Sequence, residues 1–138
     1  MRHPLAAALG TVALTASMLV SAPLASASTS DYPVKSFEVV VGNTYTKGTI
    51  TWYNRAVRVA GEHKAVASCR GTTAYTLDSA GRQLSMGMSP FAVCNGDSQK
   101  FSFDVPADVA GGAPVVRVCL DNGATPSPTP LECVLKNR

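Results

Sequence analysis

"TITWYNRAVRVAG", residues 49 to 61, decides the fold. Apolar and polar side chains change places at almost every step. Ile50 and Trp52 fall on one side, and Thr49, Thr51 and Tyr53 on the other. After Asn54 and Arg55 the alternation resumes, with Val57 and Val59 together and Arg58 opposite. A repeat of two is the side-chain period of a β-strand, and β-branched and aromatic residues suit a half-buried strand surface. Trp52, the only tryptophan, shares parity with Ile50 and is predicted to lie in the core, where its large apolar area counts most. The opposite face, Thr49, Thr51 and Tyr53, is then free to meet a partner. Thr44 and Thr46 lengthen that face if no bulge intervenes at Gly48.

The same period recurs outward from this stretch. "SFEVVVG" sets Phe37, Val39 and Val41 against Glu38 and Val40, and "HKAVASC" sets Ala65 and Ala67 against Val66. "GTTAYTLDSAGRQLSMGM" reads as a strand, a Ser-Ala-Gly turn and a return strand, with Tyr75 and Leu77 on one parity and Leu84, Met86 and Met88 on another. "KFSFDVPAD" turns Phe101, Phe103 and Val105 inward, and "PVVRVCL" separates Val116, Val118 and Leu120 from Val115, Arg117 and Cys119. "LECVL" is a short last strand. No window repeats apolar residues at helical spacing beyond one turn, near Pro106 to Val109. Seven to nine short strands with frequent turns predict an all-β chain, a β-sandwich or small barrel, with an antiparallel β-sandwich the first choice. It is immunoglobulin-like in architecture only, because no Cys precedes Trp52 as it does in antibody-type domains.

The beginning of the chain reads as an address. Arg2 and His3 precede an apolar run, Leu5 to Val20, and Ala25-Ser26-Ala27 supplies small residues at both key positions of a cleavage site. The run is too short and interrupted to span a bilayer. The expected division is a signal peptide at 1–27, a flexible N-terminal arm at 28–36, and the sandwich domain at 37–138. That places the mature chain outside the cell, with no membrane contact after cleavage. The formal net charge is +3, one unit of it from Arg2 in the leader, and the basic residues are scattered. So weak a charge gives no reason to expect nucleic acid as a partner.

Four cysteines, Cys69, Cys94, Cys119 and Cys133, all lie in the mature part. An even count in an exported chain argues for two disulfides, with three connectivities open. The sequential pairing, Cys69–Cys94 and Cys119–Cys133, is preferred, each closing a local loop and contributing about 3 kcal/mol in the chain-entropy model. Zinc fails on spacing: no two cysteines form a C-x2-4-C pair, and His63 is the only mature histidine.

Reactive chemistry finds little support. There is no G-x-S-x-G elbow, and His63 lies in the polar run "GEHK", which reads as a solvent-facing turn or strand edge. The acidic residues mostly neighbour Gly, Asn or Pro, where turns and caps account for them. No phosphate-binding, dinucleotide-binding or EF-hand pattern occurs. The chain is therefore expected to be no enzyme, with neither catalytic nor metal-binding residues and no cofactor, and to act by binding other secreted proteins. Three features could do so. One is the arm, with Asp31, Tyr32, Pro33 and Val34, where Tyr32 is the anchor. Another is the loop Asn122 to Pro130, stiffened by proline. The last is "SMGMSPF", whose Met86, Met88 and Phe91 are adaptable apolar groups, although core packing is the more ordinary place for them.

"GTITWYNRAVRVAGEHKAV", a following Cys, and "FSFDVPADVAGGAPVVRV" together resemble a group of small secreted actinobacterial proteins. That group is also similar to the small adaptor subunit of the umbrella toxin particles, which joins a lectin-type subunit to a large toxin polypeptide. The resemblance covers about Thr44 to Val118, and its motifs are mainly structural. It implies a non-catalytic connector with two binding surfaces and a part in competition between bacteria. Two rival readings stand beside it. A secreted protease or glycosidase inhibitor suits the size and disulfides, but "MGMSPFAVC" does not match the reactive segment of the subtilisin-inhibitor family. A carbohydrate-binding module requires exposed coplanar aromatics, for which Tyr45, Tyr53 and Tyr75 are the candidates.

Overall fold

The computed structural model describes residues 31–138, so the signal-peptide reading and the first three residues of the arm lie outside the described residues. Nine strands follow one another: β1 (Val34–Val41), β2 (Thr44–Trp52), β3 (Ala56–Lys64), β4 (Cys69–Leu77), β5 (Gln83–Met88), β6 (Val93–Cys94), β7 (Ser98–Pro106), β8 (Val115–Asp121) and β9 (Pro130–Asn137). No helix occurs among the described residues; the segment after Pro106 is a turn, closed by the Val109 amide on Ala107 O and the Gly112 amide on Val109 O. The strands form two antiparallel sheets. The first has the order β1-β2-β3-β7, and the second β5-β4-β8-β9 with the short β6 paired to β4.

The sheets pack face to face because each carries one apolar face, as the alternation predicts. Ile50, Trp52, Val57, Val59 and Val105 of the first sheet meet Ala74, Val116 and Val118 of the second. Trp52 is fully buried, so its place is the core. Its backbone amide donates to Pro33 O at 2.9 Å, which ties the chain before β1 to the end of β2. β1 opens at Val34, so the last three residues expected in a flexible arm are already in the sheet.

Both disulfides have the preferred pairing. Cys69–Cys94 joins directly opposed residues of β4 and β6, and Cys119–Cys133 those of β8 and β9. No free cysteine remains. Disulfides of this kind fit an oxidising compartment. Among the described residues, no helix is long and apolar enough to cross a membrane.

Three parities differ from the sequence reading, each for a local reason. β2 pairs with β1 and β3 without a register shift, so Thr44 and Thr46 keep the parity of Ile50 and Trp52 and face inward, both buried. The segment 65–68 is a loop, not a strand, and turns at Ser68 with φ 59°. On the return strand, a bulge between Thr76 and Leu77 leaves Leu84 outside the pairing, so that Leu84 packs on the core while Met86 and Met88 pair with Tyr75 and Thr73 on the outer side.

Candidate functional site

His63 is fully buried, which corrects the expectation of an exposed histidine. "GEHK" continues β3, and His63 keeps the inward parity of Val57 and Val59 despite its polar neighbours. Its ring lies 5.0 Å from the Phe101 ring, and Nδ1 is 3.0 Å from Thr72 Oγ1, which in turn is 2.7 Å from Thr46 Oγ1. A hydroxyl beside a histidine resembles a nucleophile and its base, but both are sealed in the core, out of reach of a substrate. Burial holds the His63 pKa below its ordinary value of 6.5, against the smaller opposing pull of Asp121 and Glu62. The unfolded chain therefore takes up a proton near pH 6.5 that the folded chain refuses. Stability contributed by neutral His63 is complete above that value and declines as pH falls toward the lowered folded pKa. The expected slope is at most about 1.4 kcal/mol per pH unit, beginning as pH falls through about 6.5. Urea midpoints across this range will show it, and His63→Gln, which keeps a polar group but does not titrate, will flatten it. An unchanged slope in that variant contradicts the assignment. The depressed Asp78 and Asp104 titrate below 3.8, outside this window.

The outer face of the first sheet is polar. Its cross-strand rows read Val34–Thr51–Arg58–Asp104, Ser36–Thr49–Ala60–Ser102 and Glu38–Lys47–Glu62–Lys100. Arg58 makes a two-pronged pair with Asp104, at 2.8 and 3.0 Å, which raises the guanidinium pKa and depresses that of the carboxyl. The residues singled out from the sequence come together here. Tyr32 packs edge-on against Tyr53 with ring centroids 4.7 Å apart, Val34 pairs with Thr51, and Thr49 lies two residues along. Asp31 and Pro33 flank Tyr32, both exposed. This is a solvated face with a small aromatic corner.

The outer face of the second sheet is different. Its rows read Met88–Thr73–Cys119–Cys133, Met86–Tyr75–Arg117–Leu135 and Gln83–Leu77–Val115–Asn137. Tyr75, Leu77 and Cys119 are buried here as a second apolar cluster, with Val115 packed against them. An outer face of a two-layer sandwich ordinarily meets water with polar groups; in these three rows the single charged side chain is Arg117, and one row beyond them the Asp121 carboxylate is buried against the Thr73 hydroxyl. Met86 is 39 % exposed and Leu135 60 % exposed.

Two of the loop features border this face. Phe91, 67 % exposed, corrects the reading that "SMGMSPF" belongs to the core. Its loop is held: Ser89 N donates to Thr72 O at 2.8 Å, Thr72 N to Ser89 Oγ at 3.1 Å, and Ser89 Oγ to Phe91 O at 3.2 Å. The proline-rich loop is closed on Asn122, whose Oδ1 accepts from Ala124 N and Thr129 N at 3.1 and 2.9 Å. Asp121, buried beneath, accepts from Gly123 N at 2.7 Å and from the Thr73 hydroxyl. Met88, Ala92, Gly123 and Pro128 share one small crevice, so both loops meet at the Met88 end of the sheet.

A partial signal for this face is in "PVVRVCL", where Val116, Val118 and Leu120 are apolar on one parity and Val115 and Cys119 flank Arg117 on the other. A strand apolar on both faces within two layers leaves one apolar face without a third layer. Among the described residues, no group of three or more metal-ligating side chains comes together. No family model, curated protein or solved structure matches this chain.

Proposed function

We propose that the chain is a secreted, non-catalytic binding module and that the outer face of the second sheet is its main docking surface. The observation that carries this reading is the row Met86–Tyr75–Arg117–Leu135, which sets apolar side chains where a two-layer sandwich ordinarily displays polar ones. Phe91 and the proline-rich loop extend that surface on fixed backbone, which lowers the ordering cost of binding. Export is supported by the leader-like start and the paired cysteines. The Tyr32–Tyr53 corner lies on the other sheet, pointing away from the first surface. Two separated surfaces suit a connector, and the resemblance to toxin-particle adaptors favours the same reading.

Affinity purification of the tagged mature chain from its native culture medium tests this. A second extracellular polypeptide is expected in near-stoichiometric amount. Leu135→Asp places a charge in the centre of the apolar face and is expected to weaken that association at least about tenfold. Tyr32→Ala should spare it and, in a connector, release a different polypeptide. Full retention by the Leu135→Asp chain would remove the docking face from consideration.

A further inference from the structure

Arg117 is the one charged side chain in the three outer rows of the second sheet. Its guanidinium lies over the Tyr75 ring, 4.3 Å from the centroid. Leu135 is its other cross-strand neighbour, and Val115 and Cys119 lie two residues away on the same strand and face. These three rows hold no carboxylate; Asp121, beyond Cys119 on the same parity of β8, is buried and already taken by Gly123 N and the Thr73 hydroxyl. Its Nε is buried with no hydrogen-bond partner, and Arg117 makes no ion pair among the described residues. Other arginines are engaged: Arg55, Arg58 and Arg82 with carboxylates, Arg70 and Arg138 with carbonyl oxygens. A buried donor without a partner is costly, and a guanidinium fork already fixed by stacking is prepared to take a carboxylate with two parallel bonds.

We propose that this face docks a protein segment carrying an Asp or Glu, whose carboxylate pairs with Arg117 while apolar side chains on either side of it lie over the exposed Met86 and Leu135. The proposal rests on the docking-face reading above and adds the chemistry of the partner. Charge complementarity selects this occupant over the alternatives. A second copy docked about a two-fold axis at the row's centre would bring Arg117 toward Arg117, which is repulsive. An anionic lipid surface draws on clusters of basic residues, and this face has one. A lone cation in an apolar surround is the arrangement in which a single charge-assisted pair discriminates most, because the wrong partner leaves that cation desolvated and unpaired.

The test uses the mature chain and two peptide arrays identical in apolar and serine content, one with a central Glu and one with Gln. Binding is read by fluorescence anisotropy and by the NMR resonance of the Arg117 Nε–Hε group. The Glu peptides are expected to bind at least about tenfold more tightly and to shift that resonance. Arg117→Met, similar in reach but uncharged, should erase the preference, and Arg117→Lys should retain part of it, both in chains that still melt cooperatively. Equal binding of Glu and Gln peptides overturns the proposal, as does a preference that survives Arg117→Met, silence of both arrays, or Arg117-dependent sedimentation with phosphatidylglycerol vesicles. Equal binding that Leu135→Asp abolishes rejects the carboxylate and leaves the docking face standing. Co-purification indifferent to Leu135→Asp rejects the face itself.

Discussion

Reduction of both disulfides is expected to lower the stability of the folded chain by about 6 kcal/mol, enough to unfold much of it at ambient temperature. The two bridges join residues 25 and 14 apart in sequence. Each removes loop-closure entropy from the unfolded chain worth about 3 kcal/mol. A domain of this size is stable by only about 5–15 kcal/mol in total, so the pair forms a large part of the margin. The bridges differ in what else they hold. Cys119–Cys133 ties down β9, an edge strand whose residues are mostly exposed and of which Val134 packs against the core. Its loss, as Cys119→Ala with Cys133→Ala, should loosen β9 and carry Leu135 out of the docking face. The Cys69–Cys94 pair anchors the loop that presents Phe91, so its loss should free that loop while the face persists. Urea unfolding with and without a thiol reductant, and in each alanine pair, measures these effects. Midpoints unmoved by reduction would show that the core carries the fold unaided.

Much of this architecture is legible from residue order. Alternation about Trp52 sets the inward face of β2 and of the first half of β3, because both strands are half-buried and only one parity is apolar. Cysteine count and spacing lead to the observed bridges. What escapes is the outside of the second sheet. β4 is buried along seven consecutive residues from Gly71 to Leu77, so alternation there says little about which parity faces which way. The bulge at Leu77 then separates Leu84 from Met86, and counting by twos keeps them together. His63 escapes for a related reason: its neighbours in sequence are polar, but its neighbours in space are Phe101, Thr72 and Thr46, brought by three other strands. The site inherits these blind spots. Residues proposed from polar alternation cluster at the Tyr32–Tyr53 corner, whereas the apolar face emerges only when four strands are laid side by side.

Gly61→Ala, which adds a single methyl, is expected to cost about 3 kcal/mol or more. Gly61 and Gly48 face each other across β3 and β2, the two central strands of the first sheet. Phe37 and Phe101 stand on either side of them in the same row, and both are buried. A Cβ at Gly61 would lie 2.8 Å from Gly48 Cα and nearer still to the Lys47 carbonyl oxygen; one at Gly48 would lie 2.6 Å from Gly61 Cα. These are backbone atoms, which no rotamer change can move aside. Relief requires the strands to part, which strains the ladder and lifts the two phenylalanines from their packing. Neither glycine has a positive φ, so the cost is steric rather than conformational. Gly42→Ala is the matching control: its φ is +62° but nothing lies within 4 Å of the added carbon, so only the left-handed backbone is penalised, at about 1 kcal/mol. Urea unfolding of the two variants separates the causes. Equal losses in both would mean that β2 and β3 can yield at this crossing, and that the close approach of the glycines is not what holds the first sheet in shape.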